Sequence, residues 1–429
     1  MKILILGATG FIGSTIAARL LGDGHDVTGL SRNPGRAGIK QPSISWIKAD
    51  LAAMTEPSDW RQTLQGCDVV VNSAGALQDG LSDDLFAAQE KAMLALYAEA
   101  RNAGIRLVVQ ISARTDCAGS DRPFLATKRN ADRALAASGL PHVILRPALV
   151  IGRNAHGGTA LLRSLAALPL ILPLVHASSP IETVAVDDVA AVVSTAVDGR
   201  LQQGMDIDLA SGEVSKLADL VLLHRRWLGL PPAHVIPISG SLARPITWLA
   251  DMAGRLGWRS PLRSTAMAIM SEGVVSRPTA QPAFDLKLKT AAETLDANPS
   301  AVQDLWFARL YLLKPLATGG LSLFWLLSGL IPLLSPMAAA GHFLAFMPKT
   351  SAILLTVATC LLDIALGAGV LVKLFSRLAL CGMIATTLAY LAGGTLLEPS
   401  LWLDPLGPLV KAIPSLLLTL MTLAILEER

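Results

Sequence analysis

The chain has 429 residues, 52% hydrophobic and 16% charged, whereas soluble globular proteins average about 25% charged residues. Its length allows two or three domains of about 100–200 residues, and its hydrophobicity excludes intrinsic disorder. The net charge of +3 gives no basic footprint for nucleic acid. The four cysteines are scattered, so they predict neither a disulfide framework nor a zinc site.

The first residues predict a buried strand, a glycine-rich turn and a helix. Residues 2–6 (KILIL) form a short apolar run typical of a parallel strand, and residues 7–13 (GATGFIG) follow directly. This order is the context that a dinucleotide-binding fingerprint requires. Gly7 permits the tight turn, Gly10 lets the backbone approach a pyrophosphate, and Gly13 lets the helix pack on the strand. The helix N-terminus then offers N–H groups to the phosphates.

The end of the second predicted strand, residues 25–30, indicates which dinucleotide is preferred. An acid at this position binds the ribose 2′-hydroxyl of NAD, whereas an arginine accommodates the 2′-phosphate of NADP. This chain has Ser31 and Arg32 there and no acid. We therefore expect NADP in preference to NAD. The alternative is that Arg32 is a solvated surface residue.

The rest of the N-terminal region alternates between strand and helix patterns. Strands are predicted at 44–47, 68–72, 107–112 and 142–145, with helices near 85–103 and 122–138. Such alternation predicts an α/β fold with a doubly wound parallel Rossmann sheet.

Over residues 1–210 the chain resembles an atypical, extended short-chain dehydrogenase/reductase. The resemblance rests on GATGFIG at 7–13, Asp50-Leu51, Asn72-Ser73-Ala74-Gly75, Arg146-Pro147 and Val186-Asp187-Asp188-Val189-Ala190. It implies that the turn, including Thr9, Phe11 and Ile12, binds the cofactor. It also implies that Asp50 and Leu51 lie by the adenine and that the backbone of Ala74 and Gly75 lines the cofactor. The alternative for Asp50 and Asn72 is turn chemistry, which Asp and Asn commonly supply.

The catalytic set of that family is a serine after the fifth strand and Tyr-x-x-x-Lys on the next helix. Ser112 and Lys128 match this set, but Phe124 occupies the tyrosine position. Reducing a carbonyl by hydride needs a proton donor, and phenylalanine has no proton to give. Ser112 and Lys128 are thus the predicted catalytic residues, and Lys128 is also expected to hold the nicotinamide ribose. The alternative is that Lys128 is a solvated charge on the helix.

Residues 211–304 are predicted to form a small substrate lobe and linker. Within them, 244–259 can form a helix with an apolar stripe through Ile246, Leu249 and Met252, flanked by arginines and tryptophans. We favour packing of this stripe on the lobe core, because apolar stripes usually face a core. The alternative is a basic amphipathic helix that lies on a membrane surface.

The C-terminal part, residues 305–429, changes character. Four stretches are almost free of charge, at 316–335, 351–372, 378–397 and 412–426. A membrane span needs roughly 17–25 apolar residues, a length that the fourth stretch reaches if it begins near Leu406. We predict a four-helix transmembrane bundle, because so few residues cannot enclose four wholly apolar helices in a soluble core. Lys373 and Arg377 in the second loop favour an N-terminal domain in the cytoplasm and insertion in the inner (plasma) membrane.

This part resembles the DoxX-like family, of which DoxX itself is a subunit of a quinol oxidase. The resemblance rests on Arg309, Lys314-Pro315, Trp325, Ser328-Gly329 and the number of spans. Asp363 lies near the middle of the second span, where a carboxylate costs at least about 2.5–3.5 kcal/mol. We expect a partner among Thr386, Thr387 and Tyr390, and either a proton or quinone site or a role in helix packing.

Three functions are compatible with these patterns. The first is a membrane-anchored NADP-dependent oxidoreductase acting on a lipophilic or quinone-like molecule. The second is a non-catalytic NADPH-bound sensor or assembly subunit of a membrane complex, like the NmrA-like proteins and the accessory subunit of respiratory complex I, which lack the tyrosine. The third is a nucleotide-sugar epimerase or dehydratase, which ranks last because those reactions also use the tyrosine.

Overall fold

The structure is a computed structural model that describes residues 1–75, 84–115, 122–277, 286–405 and 407–427. Leu406, the expected start of the fourth span, lies outside the described residues. The chain divides into two compact units. The first comprises Met1–Asp251 and Ser260–Ala308, and the second comprises Met252–Arg259 and Arg309–Arg429.

The first unit is built on a seven-stranded parallel sheet. Its strands are β1 (Lys2–Leu6), β2 (Asp26–Ser31), β3 (Ser45–Lys48), β4 (Val69–Asn72), β5 (Leu107–Ile111), β6 (His142–Pro147) and β11 (Met205–Leu209). Across the sheet they lie in the order β11-β6-β5-β4-β1-β2-β3. The helices that accompany it are α1 (Phe11–Gly22), α2 (Pro34–Lys40), α3 (Pro57–Leu64), α4 (Ala92–Asn102), α5 (Pro123–Ala137) and α7 (Val186–Val197), with short turns at Leu51–Ala53 and Ala87–Lys91. The doubly wound Rossmann sheet that the alternation predicts is therefore confirmed.

Apolar layers cover both faces of this sheet, because successive side chains of a strand point to opposite sides. Ile3 and Ile5 of β1 pack in the layer that includes α1 and α7. Leu4 and Leu6 pack in the opposite layer, which contains Trp60 of α3. A strand covered on both faces needs the continuous apolar run that residues 2–6 provide.

Smaller strand pairs and short helices complete the first unit. β7 (Leu149–Ile151) pairs with β10 (Thr183–Ala185), β8 (Ile171–Val175) with β13 (His234–Ile238), and β9 (Pro180–Ile181) with β12 (Ser215–Lys216). The helices are α6 (Gly158–Ala166), α8 (Leu217–Trp227), α9 (Gly240–Arg255), α10 (Ser264–Glu272) and α11 (Ala291–Asp296), the last residues of α9 belonging to the second unit. Residues of α6, β8, α8 and α11 share an apolar core of their own.

The α9 stripe does not face that core. Ile246 and Leu249 are exposed, whereas the small residues Ala243, Ala250 and Gly254 are buried. The expectation that this stripe packs on the lobe core is therefore wrong. An amphipathic pattern fixes which residues share a face but not what covers that face.

The second unit is helical. It contains most of α12 (Val302–Leu333), then α13 (Pro336–Ala339), α14 (Lys349–Gly369), α15 (Lys373–Leu397) and α16 (Pro408–Ala424), with single turns at Ala340–Phe343 and Pro399–Trp402. Within the residues that the structure describes, three helices are long and apolar enough to cross a membrane, namely α12, α14 and α15. α16 has 17 residues, the lower limit for a span, so the fourth span stays a prediction.

Two glycines let α12 and α14 approach closely. A Cβ atom at Gly329 would clash with the carbonyl oxygen of Cys360, and one at Gly367 would lie 2.8 Å from the backbone nitrogen of Leu326. Ser322 of α12 also donates a hydrogen bond of 2.7 Å to the Gly367 carbonyl. Small residues and interhelical hydrogen bonds are what hold helices together in lipid, where apolar burial drives no association.

Candidate dinucleotide site

The turn after β1 packs against the segment that follows β4. Gly7 has φ +76°, a left-handed conformation that suits glycine. A Cβ atom there would lie 2.8 Å from the backbone nitrogen of Ala74. A Cβ atom at Gly13 would clash with the Gly7 carbonyl and lie 2.5 Å from Ser73 Oγ. Both glycines are therefore required for α1 to begin directly above the ends of β1 and β4.

The N-terminus of α1 has the properties of an anion site. No side chain caps it, and its first turn contains no acidic residue. The first N–H groups of a helix have no partner within the helix, so those of Phe11 and Ile12 can donate to a phosphate. Thr9 is exposed in the turn just before them. An uncapped helix N-terminus of this kind suits an anionic group such as a pyrophosphate.

The sheet order places five predicted site residues at one edge. The carboxyl ends of parallel strands lie at the same edge of the sheet. β1 has β2 on one side and β4 on the other, so the strand order reverses at β1, and ligands of such folds bind where this reversal occurs. The residues that follow the five strands there are Gly7, Arg32, Asp50, Ala74 and Ser112. Arg32 is exposed immediately after β2.

Asp50 and Leu51 have structural contacts of their own. The Asp50 carboxylate accepts a hydrogen bond of 3.2 Å from the backbone N–H of Ala52 and caps the short helix Leu51–Ala53. Leu51 is partly buried against the same apolar layer as Ala74. The turn chemistry considered for Asp50 is thus present, and contacts of both residues with an adenine stay a prediction.

Asn72 fixes the loop that carries Ala74 and Gly75. Its side-chain amide donates a hydrogen bond of 2.9 Å to Gln110, and its carbonyl oxygen accepts one of 3.0 Å from the N–H of Ala74. Gly75 follows, and a Cβ atom there would lie 3.6 Å from Lys128 Nζ. The loop after β4 and the lysine of α5 are therefore neighbours.

Lys128 is buried, so it is not a solvated charge on the helix. Its ammonium donates a hydrogen bond of 3.1 Å to the carbonyl of Ile111, the last residue of β5. Burial lowers the pKa of Lys128, and the nearby Asp132 partly offsets that effect. The Phe124 ring lies one helical turn earlier, with its centroid 5.9 Å from the Lys128 nitrogen.

Ser112 binds a carboxylate that sequence reasoning missed. Its hydroxyl donates a hydrogen bond of 2.5 Å to Asp132, which in turn forms an ion pair of 2.9 Å with Arg146. Burial raises the pKa of Asp132, while Arg146 and the bond from Ser112 oppose that rise. Asp132 lies four residues after Lys128, and this spacing on one helix face was the available signal.

Arg146 extends this cluster towards β11. It forms a two-pronged ion pair with Asp206 at 2.7 and 3.0 Å, and it donates a hydrogen bond of 2.6 Å to the carbonyl of Ala113. Arg277 also pairs with Asp206, at 3.2 Å, and with Asp208 at 2.6 Å. The loop that follows Ser112 is therefore tied to β6 and β11 through charged groups.

In the second unit, Asp363 of α14 has a partner on α15. The Tyr390 hydroxyl donates a hydrogen bond of 2.9 Å to the Asp363 carboxylate. Asp363 itself is buried among the helices, whereas Tyr390 is exposed on their outer surface. A polar pair of this kind stabilises an acid that would otherwise be costly at that depth.

Two family models match the chain. Residues 7–200 match the NAD(P)H-binding family, and residues 322–420 match the DoxX-like family. Each match lies within one of the two structural units.

Relatives with curated sequences match part of the chain. The uncharacterized protein Rv2047c of Mycobacterium tuberculosis is 28% identical over 254 residues, which is 59% of this chain but 26% of that protein. The chain thus covers about a quarter of that relative. The uncharacterized sugar epimerase YhfK of Bacillus subtilis is 26% identical over 224 residues, covering 50% of this chain and 95% of YhfK.

Solved structures share the fold. The Bordetella bronchiseptica enzyme WbmH, in complex with NAD+, has a TM-score of 0.50 and 18% identity, with 69% of this chain and 96% of WbmH covered. MoeE5, in complex with UDP-glucuronic acid and NAD, has a TM-score of 0.53 and 18% identity, with 72% and 99% covered.

The first unit therefore has a Rossmann fold, matches the NAD(P)H-binding family over residues 7–200, and shares its fold with the NAD-bound enzyme WbmH. The chain joins this domain to a region that matches the DoxX-like family, and among the described residues of that region three helices are long and apolar enough to cross a membrane.

Proposed function

We propose that the chain is a membrane-anchored NADP(H)-binding oxidoreductase that acts on a lipophilic or quinone-like substrate. The observation that carries the proposal is the position of Lys128. Its amine is buried between the carbonyl that ends β5 and the Gly75 loop, with Ser112 at the same sheet edge. A buried lysine with a lowered pKa beside a dinucleotide fold is an unusual and costly feature, typical of functional sites.

NADP is the proposed cofactor because Arg32 follows β2. The position lies one strand from the α1 N-terminus, where a 2′-phosphate would extend from the adenine ribose. The guanidinium group can bind such a phosphate through two parallel hydrogen bonds. The exposed Lys40 at the far end of α2 supplies a comparison residue for this role.

When bound, the cofactor supplies or accepts a hydride at its nicotinamide. Lys128 would orient the nicotinamide ribose, and Ser112 would contact the substrate oxygen. The Ser112 proton already points to Asp132, and its oxygen accepts a long hydrogen bond of 3.4 Å from Arg146. A hydroxyl has two acceptor lone pairs, so the second could accept a hydrogen bond from a substrate hydroxyl. With Phe124 in the tyrosine position, the proton that a carbonyl gains on reduction would come from water or from the substrate.

The membrane domain supports the choice of a lipophilic substrate. We place the chain in the inner (plasma) membrane with the Rossmann domain in the cytoplasm, because Lys373 and Arg377 occupy the link between α14 and α15. The Asp363–Tyr390 pair would then offer a hydroxyl and a carboxylate to a quinone-like headgroup within the bilayer.

The test uses the full chain in lipid nanodiscs with NADPH. Oxidation of NADPH is followed by absorbance with a soluble short-chain quinone and with aromatic carbonyl compounds as acceptors. We expect quinone-dependent oxidation that Lys128→Met abolishes and that the exposed-site control Lys91→Met preserves. Binding of NADPH without oxidation by any of these acceptors would contradict the proposal.

The second candidate is a non-catalytic sensor or assembly subunit of a membrane complex that holds NADPH permanently. Phe124 favours it, because a phenyl ring cannot complete the proton transfer of ordinary carbonyl reduction. In that case NADPH would stay bound through purification, and its removal would release partner subunits from the solubilised membrane. Copurification that is independent of bound NADPH would argue against the sensor.

A further inference from the structure

Helix α9 exposes a stripe of large apolar side chains. Leu242 is 69% exposed, Ile246 56%, Trp248 62% and Leu249 60%. Leu242, Ile246 and Leu249 follow one another at spacings of four and three residues, so they share one helix face. Large apolar surfaces of this kind mark sites of contact with a partner or a membrane.

Arginines border this stripe. Arg244 and Arg255 are exposed, and they lie four residues before and seven residues after Trp248. The opposite side of the helix packs through small residues, because Ala243 and Ala250 are buried. An apolar face that carries tryptophan and is edged by arginine is the composition of helices that lie in the membrane interface.

The segment that directly follows α9 is attached to the membrane helices. The N–H of Lys373 donates a hydrogen bond of 3.0 Å to the Leu256 carbonyl. The Trp258 indole donates one of 2.6 Å to the Leu371 carbonyl, and Lys373 Nζ lies 4.5 Å from its ring centroid. Residues 370–372 link α14 to α15.

This link marks a membrane boundary. α14 ends and α15 begins there, and both are long and apolar enough to span a bilayer. A link between two consecutive spans lies where lipid meets water, the depth at which Trp and Lys side chains are enriched. The C-terminal end of α9 is therefore only a few residues from a point fixed at that depth.

From these contacts we infer that α9 docks on the bilayer that the C-terminal helices cross. Its apolar stripe enters the boundary between headgroups and acyl chains, and Arg244 and Arg255 contact anionic lipid phosphates. The occupant of this face is lipid rather than a second copy of the chain, because the attachment of residues 256–258 to the span link holds the helix end at the interface whatever the oligomeric state. The inference needs no bound nucleotide, so it is independent of the proposed function.

The test is site-specific photocrosslinking in the full chain. Leu249→benzoylphenylalanine places the probe in the stripe, and Thr247→benzoylphenylalanine is the matched control on the other side of the same helix. Ile246→benzoylphenylalanine serves as a second stripe probe if the first variant folds poorly. Each protein is reconstituted in nanodiscs of phosphatidylcholine and phosphatidylglycerol, irradiated and digested. Mass spectrometry then identifies what each probe has captured.

We expect phospholipid adducts at both stripe probes and a several-fold lower yield at position 247. Adducts to protein alone, whether to the same chain or to a second copy, would overturn the inference, as would equal lipid yields on the two sides. In a second arm, the stripe probe is combined with Arg244→Gln and Arg255→Gln. A fall in the ratio of phosphatidylglycerol to phosphatidylcholine adducts supports the contact with anionic lipid, and an unchanged ratio refutes it.

Discussion

Ser112 donates its hydroxyl proton to Asp132 across a distance of 2.5 Å, and both residues are buried. The hydroxyl proton of this predicted catalytic residue is therefore engaged within the protein. Asp132 is in turn paired with Arg146, so the predicted catalytic serine belongs to a charged cluster that also fixes β6 to α5. Any change in Asp132 should affect both the stability of the domain and the orientation of Ser112.

Asp132→Leu is expected to destabilise the Rossmann domain strongly. The change removes one of the two carboxylates that neutralise the buried Arg146, and breaking a buried ion pair costs about 3–5 kcal/mol. Because Asp206 remains, we expect the lower end of that range, measured by denaturant unfolding in detergent. Asp198→Leu is the control, since its pair with the exposed Arg200 is worth about 1 kcal/mol or less. Similar losses in the two variants would contradict a structural role for the cluster.

Arg32→Glu should change the choice between cofactors. We expect the affinity for NADPH to fall by about tenfold to a hundredfold, the equivalent of one charged hydrogen bond of about 1.5–3 kcal/mol. Affinity for NADH should rise, because a carboxylate can accept hydrogen bonds from the ribose hydroxyls. Titration calorimetry with both nucleotides measures the effect, and Lys40→Glu makes the same charge change elsewhere on the surface. Equal losses for NADPH and NADH would show that Arg32 does not contact the 2′-phosphate.

Phe124→Tyr tests whether a phenol at this position allows ordinary carbonyl reduction. The ring lies 5.9 Å from Lys128 Nζ, so a phenol introduced there would gain the lysine as a neighbour. We expect carbonyl reduction by NADPH to increase by about 10²–10⁴-fold, the usual contribution of a positioned acid. The gain should vanish in Phe124→Tyr combined with Lys128→Met. An unchanged rate in the single variant would mean that substrates do not reach this part of the domain.

Local patterns in the sequence were sufficient to predict the Rossmann sheet. The run Lys2–Leu6, the glycine turn after it and the later alternation each depend on neighbouring residues, and the structure confirms them. Asp132 and Arg146 are different, because their pairing joins α5 to β6 and has no signature within either segment alone. Sequence periodicity cannot reveal which buried charges meet, since that depends on how the elements pack.

Helix α9 shows a second limit of periodicity. Its stripe predicts one apolar face correctly, but the same pattern serves a helix on a protein core and one on lipid. The buried Ala243 and Ala250 show that the packed side is the one with small residues. In contrast, the charge-free stretches of α12, α14 and α15 left few alternatives to a membrane, because they are apolar on every side.

Acid should destabilise the first unit through His224. This residue is buried, with Nδ1 2.9 Å from the Leu220 carbonyl, and burial lowers its pKa to about 4 from 6.5. Between those values the unfolded chain binds a proton that the folded chain does not, so stability falls as pH decreases from 6.5 and the loss levels off below 4. This difference between the pKa of His224 in the unfolded and the folded chain corresponds to a loss of about 3 kcal/mol in the free energy of unfolding.

His224→Gln should flatten this acid dependence, because glutamine does not titrate. The exposed His234→Gln is the control and should leave the profile unchanged. Denaturant unfolding across this pH range, followed by the near-ultraviolet signal of the domain, gives the comparison. If the free energy of unfolding falls as steeply with decreasing pH in His224→Gln as in the wild type, other groups are responsible for the acid sensitivity.

Tyr390→Phe should weaken the packing of α15 on α14. The variant removes the hydroxyl that donates to Asp363, and hydrogen bonds between membrane helices contribute about 0.6 kcal/mol on average and at most about 1.7. Thr387→Val is the control on the same helix, since the Thr387 hydroxyl binds the Met383 carbonyl of its own helix at 2.8 Å. Thermal unfolding in nanodiscs measures the stability of both variants.

Asp363→Asn should keep most of the stability, because its amide oxygen can still accept the tyrosine hydrogen bond. If Asp363→Asn nevertheless abolishes quinone-dependent NADPH oxidation, the carboxylate acts in proton transfer, whereas unchanged oxidation would restrict this pair to helix packing.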